Sequence, residues 1–243
     1  PRPAQQSFRG ERLTIAYPDH WHGELERLAR KQDVTLFMLL LAVFQWLLAR
    51  YSGQEDIVVG SPVAGRQQAE THDLVGFFFH MLVLRSRVQG HQSLADLLAS
   101  VRQTTLAAYD HQDVPFDQLV SDLASERTGG LSPLFQVAFA LQNVPLGDTH
   151  LGDVRFEALT LDNQSSKYDI SLELWDQQGS LGGVLEYNSE VFSTARMERL
   201  LGHYRQLLAS VLEQGVDQPL HAYSWLPASE QQQLQTFSQG ESQ

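Results

Sequence analysis

Hydrophobic residues recur at helical spacing in two adjacent stretches near the start of the chain. They predict a first helix that begins at Pro18 and Asp19 and ends near Gln32. Thr35 is a candidate N-cap for a second helix, which ends at Gly53. Because this second helix is apolar almost all round, we expect it to lie in the core.

Three more helices are predicted in the rest of the chain. Ser93 and Asp96 have the spacing of a capping box at the start of one of them. Pro115 is expected to begin a short helix that runs through Leu123. Ser193 is the natural cap of a long helix with an apolar stripe along one face.

Strand-like segments alternate with these helices. They are predicted at residues 56–60, 75–88, 135–141, 154–161, 168–174 and 181–187. Pro62 is expected in the loop after the first strand, residues 1–11 in an extended connector, and the residues after Pro219 in a polar tail with room for one short helix. Mixed helices and strands with antiparallel-like alternation predict an α+β layered domain around one sheet.

Composition narrows the possible partners and chemistry. The chain has 243 residues, 42% of them hydrophobic, which is enough to bury a core. Its net charge of -12 disfavours nucleic acid and anionic membranes as partners. The absence of cysteine excludes disulfides and a thiol nucleophile, and it agrees with a cytoplasmic setting. The longest apolar stretch, residues 36–49, is shorter than the roughly 20 residues that a membrane span needs.

Six sets of segments, in order, resemble core motifs of the condensation domains of nonribosomal peptide synthetases. They are residues 56–66, 75–80, 111–117, 127 with 132–136, 167–170 with 185–188, and 225–230. Condensation domains also carry a His-His-x-x-x-Asp-Gly motif, and no two histidines are adjacent in this chain. The chain therefore resembles the second half of such an enzyme.

The resemblance implies a chloramphenicol-acetyltransferase-like lobe with a mixed sheet flanked by helices, the second of two lobes that form a V. Residues 1–222 would form this C-terminal lobe, and residues 223–243 a linker toward an adenylation domain. The family joins two carrier-tethered thioester substrates through an amide bond in a tunnel between the lobes. The catalytic histidine would lie in the N-terminal lobe, so no catalytic residue is expected here and the isolated fragment is expected to be inactive.

By the same resemblance, the partners are the N-terminal lobe, donor and acceptor carrier proteins, and the adenylation domain. No cofactor is expected to bind directly; the phosphopantetheine arms of the carriers would enter the tunnel. Two alternatives remain open. One is a non-catalytic module that docks carrier proteins, and the other is a lobe of a heterocyclisation or epimerisation relative.

Four residues are candidates for lining the tunnel. Ser61 follows a buried strand, and its hydroxyl could bind an amine or a thioester carbonyl; the alternative is a turn serine that satisfies its own backbone. Gly76 could let the backbone approach a pantetheine arm, and Phe78 is expected to pack beside it. His80 stands where the family usually has Asn and is expected to line the tunnel or to pack, although an imidazole can also act as an acid or base.

His111 and Asp113 could suggest a metal pair or a His–Asp dyad. Two ligands one residue apart, with no third ligand at a recognisable spacing, are weak support for zinc, so no metal is expected. The resemblance gives the motif a structural role instead, in which Pro115 starts a helix that Phe116 anchors.

Overall fold

The computed structural model describes residues 7–64, 74–76, 79–123, 132–142, 149–151, 154–156, 162–177 and 179–239. The helices are α1 Asp19–Lys31, α2 Leu36–Ser52, α3 Leu94–Asp110, α4 Phe116–Leu123, α5 Thr194–Gln214 and α6 Ala228–Gln239. The strands are β1 Gly10–Ala16, β2 Asp56–Val63, β3 His80–Arg87, β4 Val137–Gln142, β5 Thr149–Leu151, β6 Val154–Phe156, β7 Ile170–Gln177 and β8 Ser180–Asn188.

Six of these strands form one sheet in the order β1-β8-β7-β4-β2-β3. The pairs β2–β4 and β4–β7 are parallel, and the other three pairs are antiparallel. β5 and β6 form a separate antiparallel hairpin. The predicted α+β class with a mixed sheet is therefore confirmed.

Helix α2 lies at the centre of the helical layer. It contacts α1, α3 and α5 as well as β2 and β4. Thr35 caps its start, where the side-chain hydroxyl accepts a hydrogen bond from the Met38 N–H at 3.2 Å. Gly53 ends it in the left-handed conformation, with φ of 70°. The predictions of the Thr35 cap and of a core position for this helix are confirmed.

The interior of α2 contains one fully buried polar residue, Gln45, whose amide nitrogen is paired while its Oε1 has no hydrogen-bond partner among the described residues. The Gln45 side chain is fully buried, and its Nε2 donates a hydrogen bond to the Leu84 carbonyl of β3 at 3.2 Å. From α5, the Tyr204 hydroxyl donates to the Leu40 carbonyl of α2 at 2.9 Å. These bonds fix α2 against β3 and α5 because an unpaired polar group at such depth is costly.

In the described part of the chain, no single helix is long and apolar enough to cross a membrane. Among the same residues, the one combination that passes the test of length and composition is α1 together with α2, and these two helices are bent by 95° at the break between them.

The two faces of the sheet differ in what covers them. Residues at alternate positions, such as Val59, Phe139 and Leu172, belong to the core beneath the helices. Gly60 points the other way, and a Cβ added there would overlap the ring of Phe135. Phe135 in turn packs against Phe116 at 5.7 Å and Tyr168 at 5.3 Å between ring centroids. This small aromatic cluster is separate from the main core.

The helix starts agree closely with the predictions from the sequence. Ser93 and Asp96 form the predicted capping box at the start of α3. α4 begins directly after Pro115, as predicted. Ser193 is the N-cap residue of α5, but its side chain makes no capping hydrogen bond.

Three strand predictions need correction. The predicted connector of residues 1–11 overlaps β1, which was missed and which pairs along its whole length with β8. The strand expected from residue 75 begins only at His80 among the described residues, and Val75 is fully exposed. Pro62 lies inside β2 rather than in a loop and pairs with Met81 of β3; among the described residues the register between β2 and β4 contains only the pair of Gly60 with Ala138.

Two other predicted segments are described only in part. Of the strand expected at residues 154–161, β6 covers Val154–Phe156, and residues 157–161 lie outside the described part of the chain. The predicted tail contains a 3-10 turn at Leu220–Ala222 and the helix α6. Leu220 and Tyr223 are buried, so the first residues after Pro219 belong to the core rather than to a polar tail.

Replacing Gly60 with alanine should destabilise the fold, because the added methyl group has to displace Phe135. We expect a loss of about 1–3 kcal/mol in the free energy of unfolding, measured by urea denaturation. Gly202→Ala is the matched control, since a Cβ at Gly202 of α5 meets nothing within 4 Å. This control should be about 0.5–1 kcal/mol more stable because alanine favours a helix. Equal effects of the two substitutions would contradict the packing described here.

Candidate functional site

The end of the β2–β3 pair brings two of the candidate residues together. The register pairs Val63 with His80 and Ser61 with Leu82. Ser61 and His80 are therefore diagonal neighbours on the same face, with Cα atoms roughly 7–8 Å apart. The two residues are far apart on the chain, and the hairpin register makes them one site.

Ser61 is buried, with 2% of its surface exposed. It lies on the same face of β2 as Val59, at the end of the strand where β4 no longer pairs. Its hydroxyl makes no hydrogen bond to any residue that the structure describes, including its neighbours in β2. Both the tunnel role of Ser61 and the alternative of a serine that satisfies its own backbone stay predictions.

His80 is the first residue of β3 and is half-buried. Within the described ranges its imidazole has no hydrogen-bond partner. An acid or base held in place by a carboxylate is thus not seen among the described residues. This geometry is compatible with the expected lining or packing role, which stays a prediction.

Gly76 and its neighbours precede β3 on the chain. Gly76 lies in an exposed bend beside the fully exposed Val75. Phe79 is also more than half exposed. Phe78 lies outside the described residues, so its predicted packing beside Gly76 stays a prediction. The described residues thus place exposed apolar side chains close to His80 along the chain.

The His-Gln-Asp motif lies between α3 and α4. His111 is the exposed C-cap of α3, and Asp113 is exposed in the turn that follows. The buried member is Gln112, for which the sequence predicted no role; its Nε2 donates to the Tyr109 carbonyl at 2.8 Å. His111 and Asp113 take part in none of the possible metal-ligand groups found among the described residues.

Pro115 and Phe116 connect this motif to the sheet. The Pro115 carbonyl accepts the first bonds of α4, from the N–H groups of Gln118 at 3.0 Å and Leu119 at 3.2 Å. Phe116 packs on Phe135, which covers Gly60 of β2. These contacts link the motif to the strand that carries Ser61, in keeping with the structural role that the resemblance implied.

Comparison with known families decides which family carries this arrangement. The family model for the condensation domain matches residues 1–235. The chain belongs to the condensation domain family.

Curated relatives of this condensation domain chain are much longer proteins. A linear gramicidin synthase of Brevibacillus parabrevis is 45% identical over 236 residues, which are 96% of this chain and 3% of that protein. Malpinin synthetase of Mortierella alpina is 38% identical over 230 residues, which are 95% of this chain and 3% of that protein. The chain thus spans 3–5% of the length of the first curated relatives it matches.

Solved structures support the same fold. A four-domain nonribosomal peptide synthetase, holo-AB3403 bound to AMP and glycine, superposes with a TM-score of 0.87 at 24% identity, over 95% of this chain and 19% of that one. The condensation domain from the monacolin K polyketide synthase MokA superposes with a TM-score of 0.77 at 22% identity, over 86% of this chain and 48% of that one. The expected chloramphenicol-acetyltransferase-like fold is confirmed.

In this condensation domain chain, a polar network attaches α6 to the helical layer. The Tyr51 hydroxyl lies 2.6 Å from His203 Nδ1, and His203 Nε2 lies 3.1 Å from Glu230 Oε2. Because the carboxylate only accepts, Nε2 carries the proton of the bond to Glu230. Arg199 binds Glu230 with two nitrogens, at 3.2 and 2.8 Å.

Trp225 packs against the histidine of the same network. The Trp225 ring lies edge-on to His203, with 4.9 Å between centroids, and the Arg50 guanidinium lies 5.3 Å from the Trp225 centroid. His203 is only 2% exposed, so the network joins a buried imidazole to a partly exposed carboxylate. The segment that contains Trp225 and Glu230 is therefore held to α2 and α5.

The pKa of Glu230 sets the pH range of this attachment. The hydrogen bonds from Arg199 lower its pKa most; burial opposes them, and the hydrogen bond with His203 and the nearby charges add to the lowering, so the pKa lies below the ordinary value. A carboxyl whose folded pKa is lowered contributes stability above its unfolded pKa, about 4.3, and loses it as the pH falls through the folded pKa.

We expect the backbone amides of α6 to lose protection against hydrogen exchange as the pH is lowered from 7 to below about 4. Glu230→Gln should reduce that protection already at pH 7, by about 1 kcal/mol or roughly fivefold, after intrinsic exchange rates are corrected for. Glu213→Gln, at an exposed position on α5, is the matched control and should behave as wild type. Unchanged α6 protection in Glu230→Gln would contradict this network as the attachment.

Proposed function

We propose that residues 1–222 form the C-terminal lobe of a condensation domain and that residues 223–243 lead toward an adenylation domain. The observation that carries the proposal is a match to the condensation domain family over residues 1–235 without any His-His pair in the chain. The alignment with 48% of the MokA condensation domain supports it, because one of two similar lobes would cover about half of such a domain.

The reaction of the assembled domain is amide-bond formation between two carrier-tethered thioester substrates. The amine of the acceptor attacks the donor thioester carbonyl, the new C–N bond forms, and the donor carrier's pantetheine thiol leaves. The catalytic histidine comes from the N-terminal lobe, and this lobe supplies tunnel walls and docking surface. The isolated chain is therefore inactive.

Ser61 and His80 are the residues of this chain that we assign to the tunnel wall. The Ser61 hydroxyl has no partner among the described residues and is available to an amine or a carbonyl of the substrate. His80 lies beside it on β3 and fills the place of the family's usual Asn. Gly76 and Phe78 complete the proposed wall, with Gly76 leaving space for a phosphopantetheine arm.

The partners follow from this assignment. They are the N-terminal lobe, the donor and acceptor carrier proteins with their phosphopantetheine arms, and the adenylation domain, all in the cytoplasm. Names of similar proteins, such as the linear gramicidin synthases, support membership in a multidomain synthetase. They do not fix the substrates of this chain.

The test is a reconstitution assay. The chain is mixed with a separately produced N-terminal lobe that carries His-His-x-x-x-Asp-Gly and with two loaded carrier proteins, and the amide product is measured by mass spectrometry. We expect product only when both lobes are present. Product from this chain alone would contradict the proposal, and carrier binding without product in any combination would favour the non-catalytic docking module.

Point variants in the same assay refine the assignment. Ser61→Ala should lower the rate by about 2- to 13-fold, the range for losing one neutral hydrogen bond of about 0.5–1.5 kcal/mol. Ser86→Ala is the matched control, because Ser86 is a buried serine on the same face of β3 as His80. His80→Asn should stay within about threefold of wild type, whereas a loss of about 10²–10⁴ would identify His80 as an acid–base catalyst.

A further inference from the structure

Three side chains that no part of the proposed reaction uses meet between α1 and the sheet. His22 and Glu26 are four residues apart on α1 and therefore lie on the same face of the helix. Asp176 lies near the end of β7 and pairs with the buried Leu181 of β8. One ligand atom of each, from His22, Glu26 and Asp176, lies within 4.8 Å of the other two.

The His22–Asp176 contact is close but is not a hydrogen bond. His22 Nε2 lies 2.9 Å from Asp176 Oδ2. Nevertheless this buried Nε2 has no hydrogen-bond partner among the described residues. Only 12% of the His22 side chain is exposed, so water has little access to it. A buried nitrogen beside a carboxylate oxygen, without a bond to it, is the arrangement expected of two neighbouring ligands of one ion.

Coordination distances agree with this arrangement. Two ligands that each lie about 2.1 Å from one ion, at an angle of 90–109°, are roughly 3.0–3.4 Å apart. The observed 2.9 Å is just below that range. Glu26 is partly exposed and pairs with Arg30 at 3.3 Å, and one of its carboxylate oxygens lies within 4.8 Å of the ligand atoms of His22 and Asp176.

We propose that His22, Glu26 and Asp176 form a binding site for a divalent transition-metal ion, with Zn²⁺ the best fit. One imidazole and two carboxylates suit Zn²⁺, whereas Mg²⁺ and Ca²⁺ prefer sets of oxygen ligands. Two carboxylates and a neutral imidazole carry a charge of about −2, which neutralises the ion. The site joins α1 to the end of β7, so the ion acts as a clamp between the helical layer and the sheet.

Calorimetry with ZnCl₂ tests the proposal on the complete 243-residue chain after a chelator has been applied and removed. We expect one Zn²⁺ per chain and a rise in Tm with added Zn²⁺. His22→Gln and Asp176→Asn should each weaken binding by about tenfold or more and abolish the rise in Tm. His20→Gln is the matched control, since His20 is an exposed histidine on the same helix, and it should bind as wild type.

Other outcomes overturn the site. They are the absence of Zn²⁺ binding, binding that His22→Gln leaves unchanged, and binding that His20→Gln weakens equally. If either of the first two variants does not fold, Glu26→Gln replaces it, because Glu26 is partly exposed and its loss leaves the packing intact. Co²⁺ in place of Zn²⁺ gives a second readout, as visible absorption bands that require His22 when the nitrogen is a ligand.

Discussion

Helix α2 can exist in water only if all of its faces are covered, and the rest of the structure supplies that cover. α1, α3 and α5 surround it on one side, and β2 and β4 lie beneath it. Two buried side chains make hydrogen bonds between α2 and its neighbours. The Gln45 amide nitrogen donates to the Leu84 carbonyl of β3, and the Tyr204 hydroxyl donates to the Leu40 carbonyl of α2. Burial would otherwise leave both donors unpaired.

The opposite face of the sheet is covered by the small aromatic cluster of Phe116, Phe135 and Tyr168. The Phe135 ring packs directly on Gly60, where a side chain would leave no room for it. Phe116 packs on Phe135 and so connects the His-Gln-Asp segment to β2. One residue further along β2, Ser61 turns to the other face near the end of the strand pair. The same strand therefore supports a structural motif on one face and the proposed tunnel wall on the other.

Local pattern was enough to predict some of this fold, and its failures have identifiable causes. The Thr35 cap, the Ser93–Asp96 box and the covered α2 depend on residues within one or two turns of each other. β1 was missed because its partners are far away: Arg12 pairs with Glu186, and Glu11 accepts a bond from the Tyr187 hydroxyl. The motifs that carry the family resemblance indicated Ser61 and His80, but only the hairpin register shows that they are neighbours. The His22–Asp176 contact joins two elements far apart on the chain, and no local spacing indicates it.

We propose that this chain is one lobe and that it meets its other lobe at the end of the β2–β3 pair. Hydrogen exchange with and without the separately produced N-terminal lobe tests this contact. We predict that amides of residues 74–76 and 79–82 slow by about tenfold or more on mixing, while those of α6 do not change. Protection confined to α6, or no change anywhere in the chain, would contradict it.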